Sequence, residues 1–105
     1  GDQVRDYVYI EDIIPFFEKA ATSKIGRNNI FNMGTGNGTT ILDIVKNMSN
    51  ILKIEPKIEF QPARQGEIGN FVSDTTLLNE TFGTIPSTDV MQGLTQTIDW
   101  LNNNS

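Results

Sequence analysis

The chain has 105 residues, 37% of them hydrophobic and 20% charged, with no cysteine and no histidine. One domain or a piece of one, folded rather than disordered, fits those figures, and disulfides, Cys/His zinc sites and Cys-His or Ser-His-Asp catalysis are excluded. The net charge of −5 argues against general nucleic-acid binding, which needs clustered Lys and Arg, but leaves room for a local cationic pocket around one small phosphate ligand.

The β-rich run Val4 to Ile10 predicts a short strand. Asp12 is placed to N-cap the next segment and Pro15 to sit in a first helical turn. Ile13, Ile14, Phe16, Phe17, Ala20 and Ala21 then give a helix with a wide apolar face, ending near Thr22 to Gly26, where Gly26 can supply a positive φ. Asn29 to Met33 predicts a second strand, and Gly34 to Thr39 a tight loop. Thr40 with Asp43 resembles a capping box, ahead of a helix carrying Ile41, Ile44, Val45, Met48 and Leu52 at helical spacing.

Lys57 to Phe60 predicts a third strand and Pro62 to Gly69 a loop. Phe71 and Val72 allow a very short strand, after which Asp74 caps a helix over Thr75 to Phe82 that Gly83 stops. Ser87 or Thr88 is expected to cap a last helix with Val90, Met91, Leu94, Ile98 and Leu101 on one side and Trp100 in the core. Asn102 to Ser105 is expected to fray. Strands alternating with about four helices predict an α/β fold with some parallel pairing. No apolar run nears the roughly 20 residues that span a bilayer, and the polar N-terminus is no signal peptide. With no cysteine, a cytoplasmic protein is expected. The chain begins with Gly1 rather than Met, so further polypeptide is expected ahead of it.

Strand, glycine loop and helix around Gly34-Thr35-Gly36-Asn37-Gly38-Thr39 invite a dinucleotide reading, in which glycines let backbone approach a pyrophosphate. The third fingerprint position is Thr39, however, and Gly38 falls one residue early. Glu55 lies at about the right distance but precedes Pro56 rather than ending a strand. A tight strand-to-helix turn beside a cleft is the reading we adopt.

Arg5-Asp6 in the first strand and Arg64-Gln65-Gly66-Glu67 in the Pro/Gly loop carry more pointed chemistry. A guanidinium donates two parallel hydrogen bonds to phosphate oxygens and stays charged at any working pH. A carboxylate such as Glu67 accepts from ribose hydroxyls. Together they suit a nucleoside diphosphate. The plain alternative is that Arg5 pairs with Asp6, Asp12 or Glu67 while Arg64 is solvated, since surface ion pairs are common and weak.

Four ordered stretches resemble one family. Gly1-Asp2, then Arg5-Asp6-Tyr7-Val8-Tyr9-Ile10-Glu11-Asp12, Ile30-Phe31-Asn32-Met33-Gly34-Thr35-Gly36, Arg64-Gln65-Gly66-Glu67-Ile68 with Asp74, and Pro86 with Gly93-Leu94 and Ile98-Asp99-Trp100 are similar to the C-terminal portion of the extended short-chain dehydrogenases/reductases, the NAD-dependent epimerases and dehydratases of nucleotide sugars. The resemblance covers nearly the whole chain. It implies the small substrate-binding portion of a Rossmann-type enzyme: residues 1–105 as a sugar-nucleotide-binding part, with the NAD-binding Rossmann domain outside them.

The resemblance also implies roles. Arg5 and Arg64 would bind the nucleotide diphosphate. Glu67 stands where the family usually has a ribose-holding Asp, one methylene shorter. The Arg-x-Gly-acid-Ile form is nearer to UDP-glucose-type 4-epimerases than to 4,6-dehydratases, so a UDP-sugar is the favoured ligand. The family's Gly-x-x-Gly-x-x-Gly strand, catalytic Ser/Thr and Tyr-x-x-x-Lys are absent; neither Tyr7 nor Tyr9 opens such a pair, and both read as strand packing. The implied protein is therefore part of an epimerase, inactive alone, with no catalytic, cofactor-binding or metal residues of its own. The full-length enzyme would hold NAD through its other domain and form a homodimer, with no nucleic-acid or membrane partner. A 4,6-dehydratase or decarboxylase fragment and a non-catalytic binding or interaction module are the alternatives.

Overall fold

The structure is a computed structural model describing residues 1–104. Its element order is β1 (Val4–Arg5), α1 (Ile10–Thr22), β2 (Thr39–Thr40), α2 (Ile41–Leu52), α3 (Thr76–Phe82) and α4 (Val90–Asn104). The α/β class and the four helices are as expected. The strands are fewer and shorter. β1 pairs with β2 in antiparallel register, Val4 opposite Thr40 and Arg5 opposite Thr39. On its other edge Val4 makes a single parallel bridge to Asn70, through Val4 N–H to the Gly69 carbonyl and Phe71 N–H to the Val4 carbonyl, both 2.9 Å.

The predicted strand over 4–10 stops at Arg5 because Asp6 turns its side chain to the glycine loop, and Ile10 already begins α1. Residues 29–33 and 57–60 are not strands. Their β-favouring residues have no neighbouring backbone to pair with, and pairing is what makes a strand.

α2 follows β2 directly, and the first three of its backbone donors are all satisfied. Ile41 N–H donates to the Gln3 carbonyl at 3.1 Å and Leu42 N–H to the Gly1 carbonyl at 3.2 Å. Asp43 N–H donates to the Thr40 hydroxyl at 3.1 Å, as the capping motif predicts. The amino-terminal segment is thereby fastened across the start of α2.

Asp12 does not cap α1, whose cap position is Tyr9. It sits in the first turn, and its carboxylate accepts from Thr88 N–H at 2.9 Å and the Thr88 hydroxyl at 2.7 Å. That clip joins the start of α1 to the approach to α4, and it occupies the hydroxyl expected to cap α4. Pro15 lies inside α1 rather than in its first turn. Gly26 does adopt a positive φ of 71°. Asp74 accepts from Thr76 N–H at 3.0 Å beside the start of α3, and Gly83 ends that helix.

The core is small. Among the described residues the buried hydrophobics are Phe16 of α1, Leu78 of α3 and Ile98 of α4, with Pro86 fully enclosed. Phe82 meets Phe16 and Phe31 edge-on at 5.3 Å each. Trp100, expected in the core, is 62% exposed. Residues 102–104, expected to fray, continue the helical geometry of α4, with Asn104 Nδ2 donating to the Trp100 carbonyl at 2.8 Å; Ser105 lies outside the described residues. No helix among them is long and apolar enough to cross a membrane.

Candidate functional site

Arg5, Arg64 and Glu67 line one groove of about 690 Å³. Arg5 enters it from β1. The first turns of α2 supply Ile41, Leu42 and Val45, and the irregular segment 56–63 supplies Lys57, Ile58, Glu59 and Phe60. The far wall is the turn at residues 64–67. The lining carries three cationic side chains, Arg5, Lys57 and Arg64, against two carboxylates, Glu59 and Glu67. A chain of net charge −5 thus gathers a local cationic excess where the two predicted arginines meet. Apolar Leu42, Val45 and Phe60 offer surface for a flat or aliphatic part of a ligand.

The turn geometry explains its sequence. Glu67 N–H donates to the Arg64 carbonyl at 3.2 Å, closing a four-residue turn, and Gly66 sits at its third position with φ 79°. A side chain there would be strained, hence glycine. Arg64 N–H donates back to Glu67 Oε2 at 3.3 Å. Arg64 and Glu67 are both exposed, whereas Arg5 is half-buried. Arg5 Nη1 donates to the Val4 carbonyl at 2.9 Å.

The acids considered as partners for Arg5 are engaged elsewhere. Asp12 holds Thr88, Glu67 holds its own turn, and Asp6 holds the glycine loop. Asp6 Oδ1 accepts from Thr35 N–H at 3.0 Å and the Thr35 hydroxyl at 2.6 Å. Its Oδ2 accepts from Gly36 N–H at 2.9 Å and Ser73 N–H at 3.2 Å. Burial pushes this carboxyl's pKa up, but the bonds from the Thr35 hydroxyl and from the Thr35, Gly36 and Ser73 amides outweigh it, so the pKa lies below the ordinary value.

That arrangement engages the glycine loop internally. Its convergent N–H groups already have an anion, the Asp6 carboxylate. Gly34 is needed for the approach of that carboxylate: a Cβ there would stand 2.7 Å from Asp6 Oδ2 and 2.5 Å from Ser73 Oγ. The first donors of α2 are also taken, so neither they nor the Thr35 and Gly36 amides are open to a pyrophosphate. Among the described residues no group of three or more acidic side chains is placed to hold a metal ion.

Asp6 is the residue whose importance the sequence did not reveal, because its partners come from distant segments. Lys57 and Phe60 were equally unmarked as groove residues, lying in a stretch that reads as an ordinary alternating strand.

Comparison with known proteins returns consistent relatives. No family model matches the chain. It is 28% identical over 105 residues to a UDP-glucose 4-epimerase of Mycolicibacterium smegmatis, covering 100% of this chain and 33% of that protein. A UDP-glucose 4-epimerase from Thermotoga maritima, solved with UDP-glucose, superposes with a TM-score of 0.88 at 31% identity over 98% of this chain and 33% of that one. A dTDP-glucose 4,6-dehydratase from Bacillus anthracis, solved with NAD, superposes at 0.84 with 23% identity over 100% of this chain and 33% of that one, a likeness of fold alone. The chain spans about a third of the length of these proteins.

Proposed function

From the premise that this chain belongs to the extended short-chain dehydrogenase/reductase family of nucleotide-sugar epimerases and dehydratases, as its C-terminal portion, we propose that it supplies the nucleotide-diphosphate-sugar side of an NAD-dependent 4-epimerase active site. Arg5 and Arg64 hold the diphosphate, and Glu67 accepts from the ribose. The meeting of these three residues in one groove with a local cationic excess carries the reading. A UDP-sugar is the preferred ligand. The epimerase reading, rather than the dehydratase or decarboxylase one, is supported by the names of the relatives similar in sequence, UDP-glucose and UDP-arabinose 4-epimerases.

Residues 1–105 form the sugar-nucleotide-binding part, and NAD belongs to a dinucleotide-binding domain outside them. The Thr35 and Gly36 amides of the glycine loop are already committed to Asp6, which supports binding and orientation of the sugar nucleotide as the task of this portion. Guanidinium and ammonium groups around an apolar floor bind a diphosphate strongly and fix its direction, which places the attached sugar.

The direct test is calorimetric titration of this chain with UDP. Binding is expected, and Arg64→Ala should weaken it by about 1.5–3 kcal/mol, the range for hydrogen bonds to charged groups, or roughly one to two orders of magnitude in Kd. Arg64 is exposed in the free chain, so this substitution should leave stability unchanged. Absence of heat at millimolar UDP would remove the groove as a nucleotide site.

A further inference from the structure

We infer that Asp6 is the positioning residue of the groove, the carboxylate that fixes Arg5 and the two opposite walls relative to one another; this rests on the reading of the groove as a nucleotide-sugar site.

The inference comes from where the partners of Asp6 lead. Asp6 directly follows Arg5, which ends β1 and lines the groove. Thr35 and Gly36, bound at 2.6–3.2 Å, open the loop that runs through β2 into α2, and α2 brings Leu42 and Val45 to the groove. Ser73, bound at 3.2 Å, closes the segment that bears Arg64 and Glu67, and that segment is laced to Val4 by two 2.9 Å backbone bonds. Three chain segments therefore converge on one carboxylate, and each continues into a different wall.

The chemistry suits this role. Four donors point at two oxygens, and the donors are three amides and a hydroxyl, all uncharged. Only an ionised carboxylate has enough acceptor sites for all of them. An Asn would turn an N–H2 toward backbone N–H groups, and the segments would part. Gly34, which admits the carboxylate only because it lacks a Cβ, shows how closely the hub is packed. A bidentate clamp on a diphosphate needs its two guanidinium groups held at a fixed separation, and displacement by about an ångström is costly.

Three proteins decide the matter: wild type, Asp6→Asn, and Thr35→Val. The last removes the 2.6 Å hydroxyl bond while leaving Asp6 charged, which guards against the first variant failing to fold. Each is titrated with UDP well below its melting temperature, with the folded state verified by its amide spectrum. The Arg5 Nε–H resonance of each is recorded without ligand. We expect UDP affinity to fall on the order of tenfold in Asp6→Asn and by less in Thr35→Val. The Arg5 resonance should move while amides of α3 and α4 stay in place. A merely structural role would lower the melting temperature yet leave both the UDP affinity of the folded protein and the Arg5 resonance unchanged, and that result overturns the inference. If the wild type does not bind UDP, the nucleotide reading falls by itself. The Arg5 resonance then decides positioning: unmoved in both variants, it refutes it.

Discussion

Asp6 shows how one side chain can settle both what a motif does and what it does not do. The glycine loop has the composition of a phosphate cradle, but its donors close on an internal carboxylate. A pH prediction follows. The folded-state pKa of Asp6 lies below its ordinary value of 3.8, so its stabilising contribution is complete above that value and is lost as pH falls through the folded pKa. The stability gap between wild type and Asp6→Asn, read from urea midpoints, should be widest near neutrality and shrink below about pH 3.8. A gap that stays constant down to about pH 2.5 would show that Asp6 does not titrate as part of this network. At Gly34 the prediction is steric: an added Cβ at 2.5–2.7 Å from Ser73 Oγ and Asp6 Oδ2 should cost about 1–3 kcal/mol in the same assay. The sequence could not show this network. The donors stand 29, 30 and 67 residues from Asp6, and no local spacing encodes such contacts. The turn from Arg64 to Glu67, by contrast, was legible, because it is written in four consecutive residues with Gly66 at the positive-φ position.

The four helices were readable for a related reason. The period of Ile41, Ile44, Val45, Met48 and Leu52, or the Asp74 and Gly83 that bracket α3, belong to a single segment and survive without knowledge of the rest. Strands do not have that autonomy. Asn29 to Met33 has the right residue types and no partner strand, and β1 shrinks to two residues because Asp6 and Asp12 are drawn to distant donors at Thr35 and Thr88. Helix ends also hold a feature that the sequence hid. α2 closes on Lys53 in the left-handed region, φ 56°, where a residue with a Cβ pays about 1–2 kcal/mol. Lys53 is exposed, so Lys53→Gly discards little packing. Glycine loses more chain entropy on folding, roughly 0.5–1 kcal/mol, leaving a net stabilisation of about 0.5 kcal/mol expected in thermal or urea unfolding. Destabilisation would mean that the Lys53 stem packs on its neighbours in solution.

At the scale of the whole molecule the dimensions describe an open body. A monomer of 11.7 kDa is expected to expose about 5,900 Å², and this chain exposes 7969 Å². Its radius of gyration is 16.4 Å, against roughly 13 Å for a compact chain of this length. Large apolar side chains share in that exposure. Ile30 is 93% exposed, Phe17 63% and Phe60 68%, and the segments around Ile30 and Phe60 leave backbone unpaired that carries β-favouring side chains. Such a surface lowers the free energy of any state that covers it. The isolated chain is therefore expected to unfold at low temperature with weak cooperativity and to self-associate reversibly as its concentration rises. Sedimentation velocity across a concentration series measures the second effect, with Phe17→Glu and Ile30→Lys as controls. Both side chains are largely solvated already, so replacing them should reduce association while leaving the melting temperature of the monomer nearly unchanged. A sharp, high melting transition and a single monomeric boundary at the highest concentration would mean that the three buried hydrophobics, Phe16, Leu78 and Ile98, suffice to hold this fold together.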